Sequence, residues 1–335
     1  MRGRIILIDV NNIGYGAMYQ PSLAGLSHNG ESTSALHGVP MSVMSVLRRH
    51  PGAVPFVLWD GHSQWRYDLL PEYKAPRKDD EEKRALRADY RRQADHLRLI
   101  LADLGIPQVS CPHSEADDLA GHICRHLRDD VEVLLYTSDN DWLQAISPTV
   151  SRENVRDGAV VTLEGFRRAT EKYGGFDDPS LFLLCKAMEG DKSDAIPGIE
   201  RIGMKTAIKS LRKYGGLDAL YAAVDSGKAG SDKTARRIAD GREVTDRNLL
   251  LMDWRKAPPP SPWASSILAA RIPDPGIYER FGLERLARSA GSFSLDGRPV
   301  TEMVREVERA LYLAVCEQDD PSMTEEPDAK REMSG

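Results

Sequence analysis

The chain has 335 residues, 41% hydrophobic and 29% charged, with a formal net charge of −6. This composition is typical of a soluble globular protein with one large domain or two ordinary ones. It argues against a membrane protein, because no apolar run approaches the roughly 18 residues of a membrane span. The start, MRGRIILIDVNN, lacks the features of a signal peptide, and the four cysteines are scattered, so we expect reduced thiols in the cytoplasm. The negative charge argues only weakly against nucleic acid, because a whole-chain sum hides local segregation.

Three short apolar runs predict buried parallel strands, in chain order RIILID, PFVLWD and VEVLLYTSD. Helical patterns separate them, one at about 81–104 and another after Ser114. We therefore predict an α/β domain with a mostly parallel sheet and helices on both faces. Asp-Gly between apolar runs in NVRDGAVVTL predicts a small hairpin. From about 176 the chain is mainly helical, and residues 317–335, with seven acids, predict a disordered tail.

Each of the three predicted strands ends on an aspartate, which is Asp9, Asp60 or Asp139. Aspartate is common in turns, and this would explain any one of them. A ligand site explains the three together better, because the carboxyl ends of parallel strands meet at one edge of the sheet.

The stretch SEADDLAGHI crowds three acids, Glu115, Asp117 and Asp118, at the predicted start of a helix. A capping box formed by Ser114 and Asp117 would explain part of this, since acids also suit the first turn of a helix. The helix precedes the third strand, so it is expected to begin at the same edge of the sheet. The surplus of acids therefore points again to a ligand site.

With Asp141 and the pair in GDKSDAIPG, the carboxylates become numerous enough to need cations, since like charges raise one another's pKa. Hard oxygen ligands favour Mg²⁺ or Mn²⁺ over zinc. Two such ions about 4 Å apart can stabilise the attacking and leaving oxygens at a phosphodiester. The candidate ligands are Asp9, Asp60, Glu115, Asp117, Asp118, Asp139, Asp141, Asp191 and Asp194.

The motifs LIDVNN, VLWDG, LPEYKAPRK, SEADDLAG, TSDNDWLQ and GDKSDAIPGIERIGMKTA occur in the order found in structure-specific 5′ nucleases. Over about residues 4–255 the chain resembles flap endonucleases and 5′–3′ exonucleases of the bacterial and bacteriophage type. It is similar to the N-terminal nuclease of family A DNA polymerases, and because no polymerase region follows, the resemblance implies a stand-alone nuclease, as many phages have. The implied architecture is a PIN-like nuclease domain (1–175) with a helical arch (about 72–104). A helical DNA-binding region (176–316) with a helix–three-turn–helix (about 190–221) would follow.

The resemblance implies Mg²⁺-dependent hydrolysis of DNA by a monomer at 5′ flaps, junctions and free 5′ ends, in replication or repair. Mn²⁺ would substitute for Mg²⁺, and RNA–DNA hybrids are further candidate substrates. One ion would be held by Asp9, Asp60, Glu115 and Asp117, and the other by Asp139, Asp141, Asp191 and Asp194. Asp118 would lie close to both ions, and whether Asp117 or Asp118 bridges them stays open. Two departures from the family pattern, Asn140 and Ala195, are not expected ligands; Asn is common in the family at the position of Ala195.

The segment EYKAPRKDDEEKRALRADYRRQ is dense in positive charge. The resemblance puts Lys74 and Arg77 at the base of the arch, where cations would neutralise the scissile phosphate. Tyr73 would either stack on the terminal base or pack in the core. Further DNA contacts are predicted at Lys78, Lys83 and Arg84. The interleaved acids are equally typical of a solvated helix with i,i+4 pairs, and both interpretations stay open for Arg87, Arg91 and Arg92.

The sequence PGIERIGMKTA places Gly198 and Gly203 before Lys205 and Thr206 at a predicted helix start. Backbone N–H groups there could bind a DNA phosphate in any sequence, although the pattern also fits an ordinary helix–helix turn. Residues 200–247 hold eleven Lys and Arg against seven Asp and Glu. The resemblance predicts that this turn grips duplex DNA, and it allows a K⁺ ion there.

Three alternatives stay open. A PIN-type metal-dependent ribonuclease would share the acidic site but lack the arch and the glycine-rich turn. A non-cleaving DNA-junction binding protein would keep the fold and lose carboxylates, yet all nine are present. A zinc site lacks any CxxC or HExxH spacing, and its candidates are Cys111, His113, His122, Cys124 and His126.

Overall fold

The computed structural model describes residues 3–75, 81–260, 266–267, 276–291 and 294–319. The strands are, in chain order, β1 (Gly3–Asp9), β2 (Ser27–His28), β3 (Glu31–Ser32), β4 (Val54–Trp59), β5 (Gln108–Ser110), β6 (Val131–Tyr136), β7 (Val150–Glu153), β8 (Val160–Val161), β9 (Gly190–Asp191), β10 (Ile196–Pro197) and β11 (Ser266–Ile267). Short 3₁₀ helices lie at Asp141–Ala145, Glu171–Tyr173 and Trp254–Lys256.

The α-helices fall into three groups along the chain. Those around the sheet are α1 (Val10–Tyr19), α2 (Ser34–Arg49), α3 (Gln64–Leu69), α4 (Glu81–Asp103) and α5 (Ala116–His126). The middle of the chain holds α6 (Phe166–Ala169), α7 (Pro179–Glu189), α8 (Met204–Tyr214), α9 (Leu217–Asp225), α10 (Lys233–Asp240) and α11 (Arg242–Met252). The last group is α12 (Gly276–Arg280), α13 (Glu284–Gly291) and α14 (Val300–Asp319).

The central sheet has the strand order β11-β5-β4-β1-β6-β7-β8. Strands β5, β4, β1, β6 and β7 run parallel, and the edge strands β11 and β8 are antiparallel to their neighbours. In the middle, Ile6 of β1 is paired with Pro55 on one side and Leu134 on the other. The three predicted parallel strands and the predicted hairpin, formed by β7 and β8, are therefore confirmed.

Both faces of the sheet are covered, which explains why its strands are near-continuous apolar runs. Ile6 and Ile8 of β1 pack against α2 and α4, whereas Ile5 and Leu7 pack against α5 and α14. Because successive side chains of a strand point to opposite faces, one strand contributes to both cores. The carboxyl ends of the strands are thereby held at one edge with little freedom to move.

Helix α4 confirms the predicted helix at about 81–104, but its two halves differ in how much of them is exposed to solvent. Its first turns are mostly exposed, whereas Leu97, Ile100 and Leu101 are fully buried against the sheet. The predicted arch (72–104) is therefore wrong for the second half of α4, because those side chains belong to the core. Residues 76–80 of the predicted arch lie outside the described residues.

The middle helices have an apolar core of their own, built around Phe166, Phe176 and Phe182. It includes residues from Leu143 to Ala239, so the predicted boundary at 175/176 is crossed by continuous packing. Helices α7 and α8 are joined by turns that contain the short β9–β10 hairpin. The helix–three-turn–helix predicted at about 190–221 falls on these turns and on the helices that follow them, and it stays a prediction.

The last helices correct the predicted extent of the DNA-binding region. Leu286 of α13 packs in the core beside α2, and Val307 of α14 packs in the core beside α5. Residues 276–319 therefore cover the nuclease sheet and do not extend the helical region as far as 316. Residues 317–319, predicted to be disordered, end α14, and the rest of that tail lies outside the described residues. In the described part of the chain, no helix is long and apolar enough to span a membrane, and all four cysteines are free.

Candidate functional site

Asp9 ends β1 and also begins α1, so the junction of strand and helix fixes its side chain. Its Oδ1 accepts a hydrogen bond from the backbone N–H of Asn12 at 3.0 Å, and its Oδ2 accepts one from the Thr137 hydroxyl at 2.9 Å. Burial and the charge of Asp60 raise the pKa of Asp9 to about 7. The carboxylate is thus held rigidly in a place where its negative charge is unfavourable unless a cation is bound.

Asp60 follows β4 and is exposed at the same edge of the sheet. Its Oδ1 accepts the backbone N–H of Ala116, the first residue of α5, at 2.8 Å. Its Oδ2 accepts the side-chain amide of Asn11 at 2.6 Å. Asp60 therefore links the ends of two strands to the start of α5, as the predicted common edge requires.

The start of α5 lies one residue later than we predicted. Glu115, and not Ser114, is the N-cap, and the carboxylate of Asp118 accepts the backbone N–H of Glu115 at 3.0 Å. The capping box is therefore Glu115 with Asp118, and the predicted box of Ser114 with Asp117 is wrong. The shift by one residue rotates Asp117 out of the capping role and turns it toward the strand ends.

Glu115 is buried and surrounded by donors. It accepts hydrogen bonds from Ser63 at 2.9 Å and from Lys74 at 2.6 Å, and an Arg66 nitrogen lies 3.5 Å away. Burial alone would raise the pKa of Glu115, but the charges of Lys74 and Arg66 lower that pKa to about 2. Glu115 is therefore ionised at any physiological pH.

Asp117 lies at the centre of the acidic group. Burial, then the charge of Asp139, then those of Asp9 and Asp60 raise the pKa of Asp117 well above its usual range. One oxygen accepts the indole N–H of Trp142 at 2.8 Å. The influence of both Asp9 and Asp139 on this one side chain places Asp117 between the two predicted ligand sets.

Asp118, which we predicted to lie close to both ions, is engaged by a cationic side chain of the protein, and its proximity to the ions stays a prediction. Its two oxygens accept hydrogen bonds from the two terminal nitrogens of Arg66 at 2.6 and 2.8 Å, and the side chain is 1% exposed. The Nε of Arg66 donates to the backbone carbonyl of Leu251, at the end of α11, at 3.0 Å. Asp118 therefore joins α5 to α3 and α11, and its negative charge is balanced within the protein.

Asp139 and Asp141 occupy the turn after β6, where Asp139 accepts the backbone N–H of Asp141 at 2.9 Å. The ammonium group of Lys186 contacts Asp141 and lies 3.3 Å from Asp191. Burial would raise the pKa of Asp191, but Lys186 and hydrogen bonds from Ser193 lower it. Lys186 thus holds two predicted ligands of the second ion together.

Tyr73 is buried at 2% exposure, and it connects the two ligand sets. Its hydroxyl lies 3.1 Å from an oxygen of Glu115 and 3.3 Å from an oxygen of Asp194. Burial and the charge of Glu115 raise the pKa of Tyr73 above its usual range, so the hydroxyl keeps its proton and donates. The ring packs in the core, as one of our two interpretations expected, and is not placed to stack on a base.

The predicted basic contacts are only partly described. Lys74 stands beside Glu115, with a positive φ of 57° and its backbone N–H bonded to the carbonyl of Asp194 at 2.8 Å. Arg84 is exposed on α4. Arg77 and Lys78 lie outside the described residues, and Lys83 is described only by its helical backbone.

Gly198 and Gly203 lie in the turns before α8, and Lys205 is exposed on its first turn beside Thr206. A Cβ at Gly198 would come within 2.0 Å of the carbonyl oxygen of Glu189, so this glycine permits close packing against the end of α7. The carboxylate of Glu189 accepts the backbone N–H of Met204 at 3.2 Å. One N–H of the predicted phosphate cradle is therefore already bonded to an acid.

Within the described residues, no group of three or more His, Cys, Asp and Glu side chains is arranged to hold a metal ion. Several of the acids contact Lys74, Arg66 or Lys186. Of the zinc candidates, His126 has its Nδ1 bonded to the carbonyl oxygen of His122 at 2.8 Å. The acidic residues nevertheless fit a hard cation by their chemistry, because they offer only oxygen. Burial, and after it the charges of neighbouring acids, raise the pKa values of Asp9 and Asp117, and a bound cation would offset both effects.

Several residues that contact the acids were missed from the sequence, among them Arg66, Thr137, Lys186 and Trp142. Arg66 and Thr137 carry no distinguishing pattern, because their partners are distant in sequence. Lys186 and Trp142 carry a weak one: Lys186 lies in the last turn of α7, just before Asp191, and Trp142 follows the third strand's acids directly. Only the fold brings each of these residues to its acidic partner.

Two family models match the chain. The 5′–3′ exonuclease N-terminal, resolvase-like domain matches residues 4–174, and the 5′–3′ exonuclease C-terminal SAM fold matches residues 178–258. The chain is 31% identical over 236 residues to the thermostable DNA polymerase I of Thermus filiformis, covering 70% of this chain and 26% of the polymerase. It is 32% identical over 251 residues to DNA polymerase I of Mycobacterium tuberculosis, covering 72% and 27%. The chain thus spans about a quarter of the length of these relatives.

Solved structures show the same fold. The 5′-exonuclease of bacteriophage T5 with bound zinc has a TM-score of 0.62 and 21% identity, covering 87% of this chain and 99% of that one. The T5 flap endonuclease, in a complex with DNA and metal ions, has a TM-score of 0.59 and 24% identity, covering 75% and 89%. Flap endonuclease-1 of Methanococcus jannaschii has a TM-score of 0.51 and 19% identity, covering 95% and 94%. The two family models together match most of the chain, and the acids at the carboxyl edge of its sheet agree with them. The chain therefore belongs to the 5′–3′ exonuclease family.

Proposed function

We propose that this chain hydrolyses DNA phosphodiesters at 5′ flaps, junctions and free 5′ ends with two divalent cations, in replication or repair. The observation that carries the proposal is the position of Asp117, whose pKa is raised by burial, Asp139, Asp9 and Asp60. Four elements that are distant in sequence bring these acids together at the carboxyl edge of one sheet. A protein gains nothing in stability from such repulsion, so a cation-dependent function is its best explanation.

The first ion would be held by Asp9, Asp60, Glu115 and Asp117, and the second by Asp139, Asp141, Asp191 and Asp194. We propose that Asp117, and not Asp118, is shared between them, because Asp118 is engaged by Arg66. When bound, the ions would activate a water molecule and stabilise negative charge on the phosphate oxygens. Mg²⁺ suits an all-oxygen set and Mn²⁺ would substitute for it.

The chain's own residues prepare this site for a phosphate. Lys74 holds its ammonium group 2.6 Å from Glu115, so a cationic donor already stands at the edge of the acidic group. A phosphate arriving there would meet that charge, and we propose that Lys74, with Arg77, stabilises the charge that develops on it. The Tyr73 hydroxyl orients Glu115 and Asp194 relative to each other.

We propose that the duplex is gripped by the region from α7 to α11. Its support is the local excess of Lys and Arg over residues 200–247, with Lys205 exposed at the start of α8. Such contacts to phosphates are independent of sequence, so binding should weaken steeply as salt rises. A K⁺ ion at the turn before α8 is part of the proposal and would appear as a loss of duplex affinity when Na⁺ replaces K⁺. We propose a cytoplasmic location, because the proposed substrate is DNA in replication or repair.

The test is a cleavage assay on 5′-labelled flap, nicked, blunt and RNA-primed duplexes and on single-stranded RNA. Each substrate is incubated with Mg²⁺, Mn²⁺ or EDTA. We expect cleavage of the flap with either ion, none with EDTA, and products with 5′-phosphate and 3′-hydroxyl ends. Cleavage confined to single-stranded RNA would favour the ribonuclease alternative, and flap binding without cleavage would favour the junction-binding alternative.

The matched variants are Asp139→Asn with Asp191→Asn, and Asp157→Asn as control. Asp157 lies in the exposed turn between β7 and β8, and its oxygen accepts the backbone N–H of Ala159 at 3.0 Å, which an asparagine would also do. We expect the double variant to bind the flap and not cleave it, and the control to cleave like the wild type. Undiminished cleavage by the double variant would overturn the proposed metal site.

A further inference from the structure

The first exposed turns of α4 meet the body of the protein at Tyr90, the first buried residue among the described side chains of that helix. The ring lies directly on α1: a Cβ at Gly14 would come within 2.2 Å of the Tyr90 ring, so only glycine leaves room for it. The ring of Tyr15 packs beside it, with the centroids 4.5 Å apart. Tyr90 is therefore the point at which α4 is attached to α1.

The hydroxyl of Tyr90 reaches the acidic group through one intermediate. It donates to the side-chain oxygen of Asn11 at 2.8 Å, and the side-chain nitrogen of Asn11 donates to Asp60 Oδ2 at 2.6 Å. The direction of both bonds follows from chemistry: the Asp60 carboxylate can only accept, so the amide nitrogen must face it and the amide oxygen must face the hydroxyl. The carboxylate selects this orientation of the amide, and the Tyr90 hydroxyl holds the other end of the amide in place.

The remaining contact of Asp60 makes this bond important. Its Oδ1 is bonded to the backbone N–H of Ala116, so the Asn11 amide determines where Oδ2 points. A carboxylate whose two oxygens are both oriented needs no rearrangement to bind an ion, and the partners that orient a metal ligand tune its affinity. Asn11 is such a partner of Asp60, and the Tyr90 hydroxyl acts on Asn11 through one further hydrogen bond.

We propose that Tyr90 is a positioning residue that sets the cation affinity of Asp60 through the amide of Asn11. The cation site is thereby tied to the point where the exposed part of α4 leaves the body of the protein. This inference rests on the proposed function in one respect, that Asp60 contributes to a divalent-cation site. It requires no particular DNA substrate.

The test measures Mn²⁺ binding to the full chain by titration calorimetry without DNA. Tyr90→Phe keeps the ring against Gly14 and removes only the hydroxyl; we expect it to raise the Kd for Mn²⁺ about three- to tenfold. Asn11→Ala should raise it further, about ten- to a hundredfold. In the Asn11→Ala background, Tyr90→Phe should have no additional effect, because the hydroxyl acts through the amide.

The matched control is Tyr278→Phe. Tyr278 is also buried, and its hydroxyl donates to Asp103 Oδ2 at 2.8 Å, at the opposite end of the same helix α4. We expect Tyr278→Phe to change the thermal unfolding temperature in EDTA about as much as Tyr90→Phe does. We expect it to leave the Kd for Mn²⁺ unchanged. A purely structural role of Tyr90 would give the same result as this control.

An unchanged Kd for Mn²⁺ in Tyr90→Phe overturns the inference. The inference is also overturned if Tyr90→Phe lowers the Mn²⁺ affinity equally in the wild-type chain and in the Asn11→Ala background. A wild-type chain that binds no Mn²⁺ overturns it too. If the wild type binds Mn²⁺ but cleaves no DNA, the proposed function fails, while the difference between Tyr90→Phe and Tyr278→Phe still decides the role of Tyr90.

Discussion

Two groups of acids at the same sheet edge are balanced in different ways. In the inner group, Asp9 and Asp117 lie among other acids, and their pKa values are raised by burial and by those charges. In the outer group, Asp141 and Asp191 share the ammonium group of Lys186, and the pKa of Asp191 is lowered despite burial. The inner group therefore needs an added cation to be fully ionised, whereas the outer group already has one from the protein.

The difference between the two groups shows how a fold can keep acidic side chains close together despite their mutual repulsion. The inner acids are attached to strand ends and a helix start, which the apolar core on both faces holds in place. Of the outer acids, Asp141 begins a short 3₁₀ helix and Asp191 ends the short strand β9, where the long side chain of Lys186 reaches them. We therefore expect the inner group to bind a divalent cation first, and the second ion to compete with Lys186.

The largest effect is expected from removing the charge at the centre of the inner group. Asp117→Asn should reduce flap cleavage about 100- to 1,000-fold, because a single preorganised charge in an active site is worth that much. The measurement is single-turnover cleavage at saturating Mg²⁺, with Asp157→Asn as control. A reduction below tenfold would mean that Asp117 is not shared between the two ions.

The second prediction concerns stability and pH without metal. Since the pKa of Asp9 rises from 3.8 to about 7 on folding, the folded state binds its proton more tightly, and wild-type stability falls as pH rises from about 4 to 7. Asp9→Asn removes this penalty. In EDTA at pH 8 the variant should be more stable than the wild type, by roughly 4 kcal/mol at most.

Urea unfolding of both proteins at pH 4 and pH 8 measures this difference. Near pH 4 the two free energies of unfolding should converge, since the carboxyl group of Asp9 is then protonated when folded. Added Mn²⁺ should stabilise the wild type more than the variant. A variant that is less stable than the wild type at pH 8 in EDTA would show that the inner group is not strained by its charge.

The third prediction concerns the outer group. Lys186→Met removes the ammonium group between Asp141 and Asp191, so these acids should bind an added cation more strongly. The Mg²⁺ concentration for half-maximal cleavage should fall, by up to about tenfold. Lys192→Met, at an exposed position in the neighbouring turn, is the control. An unchanged or higher Mg²⁺ requirement in Lys186→Met would remove the distinction between the two groups.

The smallest effect concerns the backbone beside Asp194. Ala195 has a φ of 57°, a left-handed conformation that disfavours residues with a Cβ. Ala195→Gly should raise the free energy of unfolding by up to about 1 kcal/mol, less the extra entropy that glycine gains in the unfolded chain. Ala222→Gly, in the exposed face of α9, should instead lower it by about 0.5–1 kcal/mol. Equal losses in both variants would mean that residue 195 is not strained.

Much of the acidic site could be predicted because its spacing is local. Asp9, Asp60 and Asp139 each follow a strand that is recognisable from its own apolar run, and parallel strands bring such ends together. The capping box was wrong by one residue, because Ser114 and Glu115 are both able to cap and only packing selects between them. The same ambiguity hid the role of Asp118, whose partner Arg66 is 52 residues away.

The boundaries of the domains also could not be predicted from local sequence patterns. The pattern of α14 is that of any amphipathic helix, and only the packing of Val307 against the sheet assigns it to the nuclease domain. The alternation of exposed and buried residues in α4 likewise did not reveal which half belongs to the core. Tyr73 was open between two roles, and burial of its ring decided for the core.

The amino-acid sequence by itself determined the three central parallel strands, the β7–β8 hairpin, the helix at about 81–104 and the family, and it singled out the candidate acids. Each of these depends on short-range spacing and on residue chemistry. The tertiary structure alone decided which acids face one another, which are neutralised by Arg66, Lys74 or Lys186, and which remain strained at Asp9 and Asp117. The physical reason is that electrostatic energy depends on distance and burial in space. Both the distances and the burial depend on contacts between residues that are far apart along the chain.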